Sequence, residues 1–152
     1  MIYSRSAEYA IRAFVQLAGV EEGKYAMVKT IAKDADIPAH FLAKILQQLA
    51  RKGFLRSSKG PTGGFALRIP AEQITMLQIV DSVDGLGDFH RCPAGMAECN
   101  DEQPCGMHDT WKKLRATIIE YLEKTTIADL AASMEQKRKA LGKKAVKAKK
   151  RP

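Results

Sequence analysis

The sequence predicts a mainly α protein carrying one small β-hairpin. Three observations predict it. Apolar residues recur at three- and four-residue spacing through most of the first 134 positions. The exceptions are two short strand-like runs, FLRSS and GFALRI, which flank KGPTG with its Gly and Pro turn chemistry. The chain has 152 residues, 45% of them apolar and 28% charged, which suits one globular domain with an appendage.

The first helix is expected from about Ser6 to Ala18, where Ala10, Ile11, Phe14, Val15, Leu17 and Ala18 share a face. Gly23 breaks the following EEGK loop. Val28, Ile31 and Ala32 then pattern a short helix ending near Asp34–Asp36. After the ADIP turn, Pro38 suits the first turn of the next helix. That helix has an apolar stripe of Phe41, Leu42, Ile45, Leu46 and Leu49, and an opposite face of His40, Lys44, Gln47, Gln48 and Arg51. Gly53 fits the left-handed position past its end. Helix, short helix, turn, helix and hairpin is the order of a winged helix-turn-helix, in which the second helix of the pair enters the DNA major groove. The candidate DNA-contacting residues are His40, Lys44 and Gln47 on that helix and Lys59, Gly60 and Thr62 at the hairpin tip. A solvated polar face on a small α+β domain is the plainer alternative; the basic residues sit where a groove reader needs them.

TMLQIVDSVDG reads as a further short helix with Leu77, Ile79, Val80 and Val83 buried, stopped by Gly85 and Gly87. Residues 88–106 hold all three cysteines and show no periodicity, so they are expected to form a long functional loop. From about Met107 to Met134, the positions Trp111, Leu114, Ile118, Tyr121, Thr125, Ala128 and Ala132 step as a heptad seam, widened by Ile119 and Leu122. One long helix over 107–134 is expected, serving a homodimer, because a helix-turn-helix reader gains specificity from two half-sites. The organisation is therefore 1–87, a winged helix-turn-helix DNA-binding domain; 88–106, a cysteine loop; 107–134, a dimerisation helix; and 135–152, a disordered basic tail.

The net charge of +8 is unevenly spread. Residues 135–152 hold nine Lys/Arg against one Glu; residues 1–72 hold 11 basic and 6 acidic residues, and 73–134 hold 5 and 10. A basic head and tail around an acidic middle point to an anionic partner, here double-stranded DNA. No apolar run approaches the ~18 residues of a membrane span, and MIYSRSAEYA is too polar for a secretion signal. The expected compartment is the cytoplasm, where three cysteines are not a disulfide framework. His40, His90 and His108 have no nucleophile at catalytic spacing and no phosphate-cradling motif occurs, so the chain is not expected to be an enzyme.

Cys92, Cys99, Cys105 and His108 form C-x6-C-x5-C-x2-H. A polar, acidic loop is not where buried cysteines collect. Structural zinc sites pair their ligands more closely, although a Cys3His zinc site remains chemically open. Thiolates spread along a loop suit an iron–sulfur cluster, which is larger than one ion, and an imidazole ligand would tune its potential. Two readings follow: a DNA-binding regulator controlled by an iron–sulfur cluster, or a zinc-stabilised DNA-binding protein without a sensing role.

FLAKILQQLARKGFLRSSKGPTGGFAL resembles the recognition helix and wing of the IscR/NsrR-type winged-helix transcription regulators. SAEYAIRA, the cysteine loop and YLEKTTIADL resemble that family too, so the likeness covers residues 1–134. It implies a cytoplasmic homodimer on palindromic operators, dimerised by the long helix, with an iron–sulfur cluster near the partner's first helix. Cys92, Cys99 and Cys105 match the cluster thiolates and His108 the histidine ligand of IscR-like members. Glu8 matches the carboxylate that NsrR-like members supply from the other subunit, and is the alternative fourth ligand. His40, Lys44 and Lys59 match groove-contacting positions. A histidine ligand favours a 2Fe–2S cluster; carboxylate-ligated members hold 4Fe–4S. This chain departs in two places. Its first cysteine gap is six residues where IscR-like members usually have five, and position 59 is Lys rather than the commoner Arg.

Overall fold

The computed structural model describes residues 2–97 and 99–149. Its elements run α1 (Arg5–Leu17), α2 (Val28–Ala35), α3 (Ala39–Arg51), β1 (Leu55–Ser58), β2 (Gly64–Leu67), α4 (Met76–Val83), α5 (Gly87–His90), α6 (His108–Lys124) and α7 (Ile127–Lys149). The mainly α architecture with a two-stranded antiparallel wing is the one the sequence predicts.

α1 is the centre of the body. The Ser4 side chain caps it by accepting from the Ala7 N–H. Ala7, Ala10 and Ala13 are fully buried, small enough to let neighbouring helices approach, and Phe14 packs edge-on to Phe54 at 6.2 Å. Leu42, Leu46 and Leu49 of α3 and Ile79 and Val80 of α4 complete the core. Each such side chain contributes about 1.5–3 kcal/mol by leaving water.

The helix-turn-helix pair closes on Asp36, which takes the left-handed conformation at φ 54°, one that Asp tolerates better than most residues. The Ile37 N–H then bonds back to the Ala32 carbonyl at 2.8 Å. Arg12 of α1 donates to the carbonyls of Ala35 and Asp36, so α1 grips the end of α2. Pro38 lies just before α3 in extended conformation rather than inside its first turn, and its carbonyl accepts from Leu42 at 3.1 Å. Gly53, at φ 88°, ends the helix as expected.

β1 and β2 pair from Leu55 opposite Leu67 to Ser58 opposite Gly64. Ala26 bridges to Phe65 by two 2.9 Å hydrogen bonds. A side chain at Gly64 would collide with the Ala26 carbonyl, and one at Gly63 with the Ser58 carbonyl. These two glycines therefore serve the hairpin's own closure.

Two expectations need correction. The helix expected over 107–134 is broken at Thr125, whose ψ of 116° leaves the helical region. A local cap wins over the heptad pattern: the Thr126 N–H donates to Asp129 Oδ2 at 3.0 Å, and the Asp129 N–H to Thr126 Oγ1 at 3.1 Å. The freed backbone pairs with the start of α4 and the residues before it, Met76 N–H to Thr125 and Ile127 N–H to Ile74, both at 2.9 Å. α7 thus turns back against α1 instead of extending α6. The tail expected to be disordered over 135–152 continues α7 to Lys149; residues 150–152 lie outside the described residues. Its Lys and Ala residues are strong helix formers, and Lys139 pairs with Glu135 one turn away at 2.7 Å.

Candidate functional site

Two regions carry the candidate functional side chains. One is the face made by α3 and the wing. His40, Lys44, Gln47, Lys59, Gly60 and Thr62 are all exposed there, each lying where the sequence places it. Gly60 takes φ 100° with open space around it, giving the wing tip a turn that L side chains resist. Phe41 does not join the apolar stripe: it is 54% exposed, its ring 4.4 Å from the His40 imidazole. Position 41 lies at the edge of the stripe, and the core is already filled by Leu42 and Ile45. Gln48 is not simply solvated, because its amide donates to the Ser82 carbonyl at 3.0 Å. Lys52, which the sequence reading missed, donates to the same oxygen at 2.7 Å.

The other region is the cysteine segment. A four-residue helical turn, α5, opens it instead of plain loop, and Phe89 of that turn is buried. α6 holds the start of the segment from outside: Trp111 Nε1 donates to the Arg91 carbonyl at 3.2 Å and Arg115 to the Phe89 carbonyl at 3.5 Å. The following CPAGM stretch turns at Gly95, φ 76°, whose N–H bonds to the Cys92 carbonyl at 3.0 Å. That turn aims the Met96 and Ala94 backbone amides at the Cys92 sulfur. Their hydrogen bonds, with smaller contributions from the Cys105 and Cys99 side chains, hold the Cys92 thiol below its ordinary range and favour thiolate.

Cys92, Cys99, Cys105 and His108 line one cavity of about 300 Å³ with Met96, Ala97, Asn100 and Gln103. The four residues of the C-x6-C-x5-C-x2-H spacing thus line one cavity. His108 opens α6, and its N–H bonds to the Cys105 carbonyl at 3.0 Å, so a turn rather than a shared helix face joins the two. His108 is 4% exposed. Its Nδ1 lies 3.4 Å from Cys99 Sγ and its Nε2 2.8 Å from Asp101 Oδ1. Lys112 in turn donates to Asp101 at 2.7 and 2.8 Å. Lys112 first, and then His108, hold the Asp101 carboxyl below the usual carboxylate range. Asp101 and Lys112 were not singled out by sequence reasoning; the S/T-like regularities that mark a cap have no counterpart in this loop.

Among the described residues, no three His, Cys, Asp or Glu side chains close on a single metal ion. Three cysteine sulfurs and one imidazole, donors suited to soft or borderline metals, line the cavity. Glu8 is not part of this cavity within one chain. It faces Arg12 at 3.3 Å on α1. α6 also presents Leu114 and Tyr121, each about half exposed, on the seam face, with Met107 one heptad before Leu114.

Comparison with known proteins places the chain in a family. A family model described as "Rrf2: Iron-dependent Transcriptional regulator" matches residues 3–133. A candidate HTH-type transcriptional regulator of Aquifex aeolicus is 33% identical over 132 residues, covering 86% of this chain and 91% of that protein. The HTH-type transcriptional regulator IscR of Cronobacter sakazakii is 26% identical over 135 residues, 89% of this chain and 83% of that protein. Among solved structures, CymR, the global cysteine regulator of B. subtilis, superposes with a TM-score of 0.71 at 24% identity, covering 86% of this chain and 95% of that one. IscR of T. potens gives 0.71 at 21% identity, covering 88% of each.

Proposed function

Because this chain belongs to the Rrf2 family of transcriptional regulators, we propose that it is a DNA-binding regulator whose operator affinity is set by an iron–sulfur cluster held in the cysteine cavity. One observation carries the reading: three thiols and a buried imidazole converge on one cavity, in the segment that joins α4 of the DNA-reading body to α6.

Cys92, Cys99, Cys105 and His108 are the ligand set within one chain, with Glu8 of a partner subunit as the competing fourth ligand. A cluster bound there supplies a centre sensitive to iron supply, redox state or nitric oxide. The protein's own part is transmission. The segment follows α4 after four residues, and the end of α4 is tied in two directions. Asp84 accepts from the Ser4 N–H at 2.8 Å, fixing the start of α1, while Ser82 accepts from Gln48 and Lys52 of α3. A rearrangement of residues 88–108 therefore bears on the tilt of the recognition helix. The seam face of α6 is the proposed homodimer contact, which sets two recognition helices at the spacing of an operator's half-sites. A coupling of about 1–3 kcal/mol would change operator affinity by about 5–150-fold.

The test is anaerobic purification followed by iron, sulfide and zinc determination, and then operator retardation with and without the cluster. Visible absorbance with matched iron and sulfide supports the reading. A colourless, zinc-loaded protein with undiminished operator binding supports the zinc-stabilised alternative.

A further inference from the structure

His108 is the one buried polar side chain among the described residues, and its two ring nitrogens meet different chemistry. Nδ1 faces the cysteine cavity, 3.4 Å from Cys99 Sγ; Nε2 faces outward, 2.8 Å from Asp101 Oδ1. A neutral imidazole carries one N–H and one lone pair. An ionised carboxylate only accepts, so Asp101 demands the proton on Nε2 and leaves the Nδ1 lone pair pointing at the thiols. Lys112, one turn after His108 on α6, engages both Asp101 oxygens at 2.8 and 2.7 Å. The carboxylate is thus clamped between two residues of one helix.

The geometry points to Asp101 as a positioning residue that fixes His108 as its Nε2–H tautomer, with Lys112 holding Asp101 in place, so that Nδ1 is the atom offered to a metal centre. A carboxylate behind a metal-binding histidine orients the ring and raises its basicity. A histidine that merely filled the core would need neither a committed tautomer nor a two-residue clamp on its far side. The inference rests on the cluster reading of the cysteine cavity, and it makes Asp101 and Lys112 tuning residues that touch no ligand themselves.

The experiment has two arms. In the metal-free protein, nitrogen-15 NMR of the neutral His108 ring reads the tautomer directly. The expected result is Nε2–H in the wild type and loss of that preference in Asp101→Ala, with thermal melting confirming that the variant is folded. In the second arm, wild type, Asp101→Asn and Lys112→Met are reconstituted anaerobically with iron and sulfide, and their midpoint potentials are compared. Asp101→Asn keeps an acceptor but removes the charge, so its potential shifts positive at unchanged iron and sulfide content. Lys112→Met removes the opposing charge and shifts the potential negative. A wild-type Nδ1–H tautomer, an unchanged tautomer in Asp101→Ala, or unmoved potentials in both charge variants would overturn the assignment. Failure of the wild type to take up iron and sulfide overturns the cluster reading and the ligand role of Nδ1 together. The tautomer arm then still shows whether Asp101 sets the ring.

Discussion

The ammonium of Lys52 donates to the main-chain carbonyl of Ser82 at 2.7 Å, and Gln48, one turn earlier on α3, donates to the same oxygen at 3.0 Å. The recognition helix is thereby fastened to the last turn of α4, two residues before Asp84 meets Ser4 and six before the segment that carries the cysteines begins. Backbone and hydrogen bonds thus link the start of the cysteine segment to α3 through the end of α4.

Replacing both donors, Gln48→Leu with Lys52→Met, should leave the fold intact, because each is an exposed hydrogen bond worth about 0.5–1.5 kcal/mol. The variant's operator affinity should respond less to the state of the cysteine cavity than the wild type's. Retardation assays with cluster-loaded and metal-free protein give the ratio. An undiminished ratio means that α4 is not the route.

Arg12 ties α1 to the carbonyls that end α2. Arg12→Met should destabilise the protein by about 1–2 kcal/mol, the range for a charge-assisted hydrogen bond discounted for partial exposure. Urea unfolding at neutral pH measures it. A change below about 0.3 kcal/mol would show that the helix-turn-helix pair closes without this grip.

At the wing tip, Lys59 is exposed beside Gly60. Lys59→Ala should weaken operator binding and lower the salt slope by about one unit, the signature of one lost phosphate contact. Unchanged slope and affinity would remove Lys59 from the interface.

The break between α6 and α7 should be acid-sensitive. Hydrogen bonds from the Thr126 hydroxyl and amide hold the Asp129 carboxyl below its ordinary range. A carboxyl depressed in the folded state stabilises above its unfolded value, and that contribution disappears as pH falls through the depressed one. Amide protection factors in the first turn of α7, corrected for the intrinsic exchange rate at each pH, should therefore fall at acid pH in the wild type. In Asp129→Ala they should already be low at neutral pH, with a flatter pH response. Equal protection in both proteins would show that the cap does not hold α7.

The body of the fold was legible in the sequence because its signals are local. Leu42, Ile45, Leu46 and Leu49 mark α3 by period, Gly53 stops it, and the glycines around Lys59 close the wing. The lining of the cysteine cavity was legible for a similar reason, since thiols and imidazole are scarce residue types at telling spacing. Three features escaped for physical causes. Phe41 has the right period but sits beside a face already filled, so period alone overstated its burial. The seam from Trp111 to Ala132 is a genuine heptad pattern, yet the cap made by Thr126 and Asp129 and the pairing of residues 125–127 with 74–76 outweigh it. The clamp of Asp101 by His108 and Lys112 joins an irregular loop to a helix, and no periodicity announces such a contact. The tail shows the converse: its charge run predicts disorder, although Lys and Ala also favour helix.

The central claim is that the cysteine cavity governs DNA binding, and one titration tests it most directly. Protein reconstituted anaerobically with iron and sulfide is bound to operator DNA, the cluster is then removed by chelation under the same buffer and salt, and the dissociation constant is measured before and after. The account predicts a change of about 5–150-fold that Cys92→Ala, which cannot hold the cluster, does not show. Identical affinities in the two states, with wild type and Cys92→Ala indistinguishable, would contradict it.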